Sequence, residues 1–334
     1  MSAPIMHGGG ITEAAAAFGG EPKDWLDLST GINPNPVSLP DVPVNAWHRL
    51  PDRHLVDTAR NAAARYYRSG DILPLPVPGT QSVIQLLPRL VAPARRVAIF
   101  APTYGEYARV LLAAGFAVDE ISASDQLTPE HGLAILVNPN NPTGRAYPPG
   151  EIVALARQMK TTGGTLLVDE AFGDMQPGLS IVPFIAAHDN LIVFRSFGKF
   201  FGLAGLRLGF VIAGDPVLSA FREWLGPWSV SGPALVIAAA SMNGDTNAVQ
   251  SAITERRAAL EHVLQRAGLK VVGGTPLFTL VEHSQAARLH TQLCRAQILT
   301  RKFDYAPSWL RIGLAPDISG DTRLAQALRR ADLA

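Results

Sequence analysis

Five short apolar runs, at residues 96–101, 133–137, 165–168, 191–194 and 206–211, set the framework into which this chain can fold. Each has the length of a strand, and helical patterns fall between them at 104–114 and 149–160. Upstream, Leu55, Ala59, Ala62 and Tyr66 recur at helical spacing and predict a helix over 54–67. Strands alternating with helices imply an α/β fold, a mixed but mostly parallel sheet with helices on both faces. The runs at 191–194 and 206–211 leave no room for a crossover helix between them, so one strand is expected to be antiparallel. Beyond Asp215-Pro216 the pattern changes to a helix near 216–225 and a long Ala-rich segment over 233–268. Apolar runs at 269–272, 277–281 and 309–312 then read as strands of a smaller α+β lobe. Residues 1–50 are rich in Gly, Pro and Asn, show little periodicity and read as an extended arm. The expected division is an arm over 1–40 that belongs to the small lobe and the site, a large domain over 41–220 and a small domain over 221–334.

Composition excludes several classes of function. The chain has 334 residues, 47% hydrophobic and 17% charged, enough for a sizeable core. A formal net charge of +1 leaves no basic footprint for nucleic acid. The single cysteine, Cys294, rules out an intrachain disulfide and fits a reducing compartment, so a cytoplasmic location is expected. Residues 1–20 lack a cationic start followed by an apolar run, and the longest apolar stretch, 234–242, is far too short for a bilayer; neither secretion nor a membrane is expected. No GxGxxG follows a strand and no Walker-type loop is present, so dinucleotides and nucleoside triphosphates lack their usual marks. No metal site is expected.

The chemistry-bearing residues gather at the ends of the predicted strands. The run 191–194 leads through Ser196 to Lys199, with Arg207 eight residues on. A lysine so placed can form a Schiff base with an aldehyde cofactor, and the hydroxyl and guanidinium can hold that cofactor's phosphate. The plain alternative is an exposed lysine in a glycine loop. Asp169 ends the run 165–168, where a carboxylate in apolar surroundings needs a partner. A protonated pyridine nitrogen would supply one, and a helix cap or ion pair is the competing reading. Asn141 lies in the string Asn138-Pro139-Asn140-Asn141-Pro142-Thr143-Gly144, a rigid turn at a strand end; its amide can reach a ring oxygen or bond its own backbone. Tyr104 follows the strand at 96–101 and can stack on a flat heterocycle or pack on the core. Gly79-Thr80-Gln81 opens a helix whose first N–H groups favour phosphate, or is a glycine turn with a threonine cap.

Taken together, these residues resemble the pyridoxal-phosphate enzymes of fold type I, the aspartate-aminotransferase superfamily, over nearly the whole chain. The resemblance implies pyridoxal 5'-phosphate bound covalently to Lys199. Asp169 then partners the pyridine nitrogen, Asn141 the ring oxygen and Tyr104 the ring face. Gly79, Thr80, Gln81, Ser196 and Arg207 hold the phosphate, and Lys199, Asp169 and Tyr104 form the catalytic set. Arg311, in Trp309-Leu310-Arg311-Ile312-Gly313, matches the arginine that grips a substrate α-carboxylate. Within the superfamily, His7-Gly8-Gly9-Gly10 and the stretch Asp27 to Pro34 resemble the threonine-phosphate decarboxylase family of cobalamin biosynthesis. That resemblance implies decarboxylation of L-threonine O-3-phosphate to (R)-1-amino-2-propanol O-2-phosphate. It places His7, Gly8, Gly9, Asn33, Asn141, Arg301 and Arg311 around a small phosphorylated amino acid. A homodimer is expected by the same resemblance.

Three positions depart from the related patterns. Phe172 stands where the superfamily often has a tyrosine, and Leu50-Pro51-Asp52 stands where histidinol-phosphate aminotransferases carry Tyr-Pro-Asp. Gly10 replaces the asparagine of His-Gly-Gly-Asn. The first two weigh against the alternative, a histidinol-phosphate or related amino-acid aminotransferase. A catalytically silent regulator on the same fold is a further reading, disfavoured because the chain starts almost directly with the arm. The residues show the grips but not the angle at which the substrate is held, which alone separates decarboxylation from transamination.

Overall fold

The computed structural model describes residues 7–331. The arm is less extended than its composition implies: it opens with helix α1 (Ile11–Phe18) and strand β1 (Leu26–Asp27). The signal for α1 lies in propensity rather than period. Its sequence, Ile-Thr-Glu-Ala-Ala-Ala-Ala-Phe, joins the best helix former to an acidic residue in the first turn. The part of the expected arm over residues 1–6 lies outside the described residues.

Helices α2 (Val44–His48) and α3 (Arg53–Tyr67) follow. Asp52, in the Leu50-Pro51-Asp52 string, caps α3, its side chain accepting from the Leu55 N–H at 2.9 Å. The chain then lays down β2 (Leu75–Val77), α4 (Thr80–Ile84), β3 (Arg96–Phe100), α5 (Glu106–Ala113), β4 (Val118–Ile121) and β5 (His131–Val137). Next come α6 (Pro149–Thr161), β6 (Thr165–Asp169), β7 (Leu191–Ser196), α7 (Phe197–Phe200), β8 (Gly209–Ala213), α8 (Asp215–Leu225) and α9 (Gly232–Asn243). The sheet has seven strands in the order β2-β8-β7-β6-β5-β3-β4. Strands β3 to β7 pair in parallel, while β8 runs antiparallel to both β2 and β7. This is the expected α/β sheet with its one reversed central strand. The strand expected over 206–211 begins at Gly209 instead, because Arg207 takes a left-handed φ of 52° that no strand accommodates. The central strands are buried along almost their whole length, as strands covered on both faces must be.

The Ala-rich segment over 233–268 forms two helices, α9 and α10 (Thr246–Arg266), broken at Gly244 and Asp245. Strands β9 (Lys270–Thr275) and β10 (Phe278–Glu282), helix α11 (Ala286–Arg295), strands β11 (Ile298–Leu299), β12 (Arg301–Lys302) and β13 (Trp309–Gly313), and helix α12 (Ile318–Arg330) complete the chain. Strands β12, β13, β10 and β9 make an antiparallel sheet in that order, and β1 pairs in parallel with β11.

The structure divides into two compact units. One holds Val37–Asn141 and Arg145–Thr246; the other holds the arm to Pro36, Pro142–Gly144 and the chain from Asn247. No helix among the described residues is long and apolar enough to cross a membrane.

Candidate active site

In the first unit, the backbone brings four of the five expected phosphate residues together, while the Gln81 side chain turns to Tyr104 and Glu106. Gly79 has φ +75°, and a Cβ there would lie 2.9 Å from an Arg207 guanidinium nitrogen. Only glycine therefore leaves the space beside that cation open. Ser196, the last residue of β7, pairs in register with Gly209 at the start of β8. A Cβ on Gly209 would in turn lie 3.0 Å from the Thr80 nitrogen, so this glycine lets β8 approach the first residue of α4. Gly79, Thr80, Ser196 and Arg207 thus share one cradle.

Asp169 closes β6 with its side chain buried. One carboxylate oxygen accepts from the Tyr107 hydroxyl at 2.7 Å, the other from the Ala171 N–H at 3.0 Å. Burial pushes this carboxyl up to about 6, against the downward pull of both hydrogen bonds and of the Lys199 charge. Lys199 is half-buried in the short helix α7, its ammonium 6.0 Å from the centre of the Phe172 ring. A Cβ on the preceding Gly198 would meet the Ala204 backbone at 2.5 Å, so the glycine fixes how closely α7 packs.

Tyr104 donates its hydroxyl to the Gln81 side-chain oxygen at 3.1 Å, and the Gln81 amide donates to Glu106 at 2.6 Å. Glu106 is buried and clasped by Arg109 through two nitrogens at 2.6 and 2.9 Å. The side chain of Gln81 therefore ties α4 to α5 and steadies Tyr104. In the Asn-Pro turn, Asn138 and Asn140 hold the loop: Asn138 exchanges bonds with the Tyr147 backbone, and Asn140 bonds Pro102 and Thr103. Asn141 stands half-buried beside them.

The second unit carries the remaining residues of the expected set. Arg301 and Arg311 face each other in register across β12 and β13, so their side chains leave the sheet on one face. Arg311 is buried, lies 4.9 Å from the Phe278 ring and donates to the Ser29 carbonyl at 2.6 Å. The Arg301 guanidinium lies 5.4 Å from the Phe303 ring. Ser29 joins Arg311 to the glycine arm. Its hydroxyl accepts from the Gly9 N–H at 2.8 Å and donates to Asp27 at 2.5 Å. A Cβ on Gly8 would lie 2.5 Å from the Ser29 carbonyl oxygen. His7 is exposed, while Asn33 is buried and accepts from the Asn35 N–H at 3.0 Å.

Sequence reasoning missed Tyr107, Ser29 and the Glu106–Arg109 clasp. Tyr107 had a signal, since it lies three residues after Tyr104 at the start of a helix, where the two side chains are neighbours. Ser29 had none, because the contacts that tie it to Gly9 and Arg311 come from residues far along the chain.

A threonine-phosphate decarboxylase of Sinorhizobium sp is 68% identical over 333 residues, covering 100% of both chains. The threonine-phosphate decarboxylase of Pseudomonas aeruginosa is 43% identical over 329 residues, covering 97% of each. Among solved structures, the histidinol-phosphate aminotransferase of Sinorhizobium meliloti, in complex with pyridoxal-5'-phosphate, superposes with a TM-score of 0.74. It is 22% identical, over 86% of this chain and 84% of that one, and so speaks for the fold alone. Residues 23–328 match the family described as aminotransferase class I and II, and the chain belongs to that family.

Proposed function

We propose that this chain is a pyridoxal-phosphate-dependent carboxy-lyase that converts L-threonine O-3-phosphate into (R)-1-amino-2-propanol O-2-phosphate and carbon dioxide, a step of cobalamin biosynthesis. The observation that carries the reading is the 68% identity, over the full length of both chains, to a threonine-phosphate decarboxylase. The residues fit the cofactor. The Gly79–Arg207 cradle leaves room and positive charge for its phosphate, together with Thr80, Ser196 and the backbone of Gln81. The buried Asp169 carboxylate suits a cationic ring nitrogen, Tyr104 suits the ring face, and Asn141 the ring oxygen. Once held, the cofactor supplies a sink for the electron pair of the bond broken at Cα.

The chain's own residues do the rest. Arg311, steadied by Ser29 and the Phe278 ring, grips the substrate carboxylate in a bidentate fork. Arg301, its register partner, holds the substrate phosphate with backbone groups near His7, Gly8 and Gly9. Two guanidinium groups on one face of the sheet suit a ligand with two anionic ends. Lys199 would hold the cofactor's aldehyde and, once the substrate amine has taken its place, would return a proton to Cα after carbon dioxide leaves. We read the enzyme as a cytoplasmic homodimer, consistent with its single buried cysteine and with closed twofold assembly as the commonest oligomer.

The test is incubation of pure holoenzyme with L-threonine O-3-phosphate and no keto acid. Carbon dioxide and the amino-alcohol phosphate should appear in equal amounts. Transamination of histidinol phosphate with 2-oxoglutarate, without carbon dioxide, would overturn the reading. Free L-threonine lacks the phosphate that Arg301 would hold and should be roughly 10²-fold poorer, a preference that Arg301→Ala erodes.

A further inference from the structure

We propose that Tyr107 is a positioning residue for the reaction: its buried phenol holds Asp169 as the anion that the cofactor's ring nitrogen needs. The inference rests on the reading of Asp169 given above and adds a residue to it.

The geometry leaves the phenol one task. Tyr107 sits in α5, is fully buried in the main core, and points its hydroxyl at Asp169 from 2.7 Å. Its ring stands edge-on to Tyr104, with centroids 6.2 Å apart, so the loop into α5 and the first turn of that helix carry the ring-stacking residue and the support of the carboxylate side by side. The other oxygen of Asp169 takes a backbone N–H from Ala171, which no side-chain change can remove. Among the described residues, Tyr107 therefore gives this carboxylate its side-chain hydrogen bond.

The proton on that bond has a fixed owner. Burial first, then the adjacent Asp169, keeps the phenol well above its ordinary value, so it acts as a donor at any working pH. A donor to an anion favours the anion, and the groups acting on Asp169 show how finely this is balanced. Burial and Glu170 raise its pKa, while Tyr107, the Ala171 N–H and Lys199 lower it. The net result, about 6, stands close to neutrality. Without the phenol, Asp169 would hold its own proton more tightly and draw the shared proton away from the ring nitrogen. A neutral ring is the poorer electron sink.

The test uses Tyr107→Phe, which removes one oxygen and leaves the packing. In cofactor-free protein carrying ¹³C-labelled aspartate, the Asp169 carboxyl should titrate about one pH unit or more higher than in the wild type, the size expected for losing a hydrogen bond to a charged group. In the holoenzyme, kcat for threonine phosphate should fall roughly ten- to a hundredfold with KM little changed, by the same conversion. Replacing Tyr107 with a fluorinated tyrosine, a stronger donor of the same shape, should move the carboxyl the other way; it serves also if the phenylalanine variant does not fold. An Asp169 titration unmoved by either change would overturn the proposal, as would unchanged kcat in Tyr107→Phe. A wild type that binds cofactor yet releases no carbon dioxide would overturn the functional reading instead and leave the carboxyl titration to decide this one.

Discussion

Asp169 and Glu170 are neighbours in sequence, both buried at the end of β6, and they live in opposite electrostatic worlds. Glu170 is closed off by partners: Arg195 at 2.6 Å, the Ser180 hydroxyl at 2.7 Å and the Ile181 N–H at 2.7 Å. Arg195 also reaches Asp174 at 3.0 Å and lies over the Tyr67 ring at 4.4 Å. Gly173 has no Cβ because one would lie 2.7 Å from the same guanidinium. Among the described residues, Asp169 receives neutral donors, Tyr107 and the Ala171 N–H, with Lys199 acting as a charge from further off. The difference separates two uses of a buried carboxylate. A charge matched by its own counter-ion holds two strand ends together, here Glu170 just after β6 with Arg195 on β7. A charge given hydrogen bonds but no cation in contact keeps an appetite for a cationic ligand.

The largest effect that tests this division is at Lys199. Lys199→Ala should lose at least about 10²–10⁴-fold in turnover, the range for a group that moves a proton in the reaction. It should keep part of its cofactor through the phosphate cradle, and its thermal stability should hardly change. Borohydride reduction of the wild type should fix the cofactor to this lysine; label on another lysine would break the comparison at once.

Next in size is Glu170→Ala, which opens the closed cluster. Removing one partner of a buried ion pair costs about 3–5 kcal/mol, because the other charge stays behind. Asp174 remains beside Arg195, so a loss near the lower end is expected. Denaturant midpoints read it directly, and a midpoint equal to wild type would show that the cluster is not what holds the strand ends. Asp169→Asn should do the reverse. Activity should fall by about 10²–10³, by analogy with removal of one electrostatic group from an active site, while the cofactor still binds and the midpoint does not drop. Wild-type turnover in this variant would reduce Asp169 to a structural residue.

The sequence showed one side of this comparison and hid the other. Asp169, Lys199 and the strands that carry them were legible because short apolar runs end at them, and an ionisable residue after such a run stands out. The reversed strand was legible from loop length, since too few residues separate the run ending at 194 from the one starting at 206 for a crossover helix. The closed cluster was not. Glu170, Asp174 and Arg195 look in sequence like ordinary surface charges, and only folding shows that β6 and β7 run side by side. The arginine pair was half legible: both residues were singled out, but their face-to-face register depends on how β12 pairs with β13. Helix α1 was passed over because its four alanines have little amphipathic period, although their propensity is the highest of any residue.

The smallest effect is the most discriminating, because its sign follows from the burial of Asp169 alone. In the cofactor-free folded protein this carboxyl sits at about 6, against 3.8 as its ordinary value. Between those two values the folded state binds more protons than the unfolded state. Stability contributed by Asp169 must therefore fall as pH rises through the window from about 4 to 6, and level off above it. A displacement of about two units corresponds to about 3 kcal/mol at most, and solvent relaxation around a buried group brings the expected value to about 1–2 kcal/mol. Asp169→Asn cannot ionise, so its stability relative to wild type should rise across the same window and be constant below pH 4. Adding pyridoxal phosphate should flatten the wild-type slope, because a cationic ring nitrogen favours the ionised carboxylate and lowers its pKa. Guanidinium midpoints at pH 4, 5, 6 and 7, for both proteins with and without cofactor, measure all of this. Parallel curves for wild type and Asp169→Asn would mean that Asp169 is as well matched in the folded protein as Glu170, and the contrast between the two neighbours would be lost.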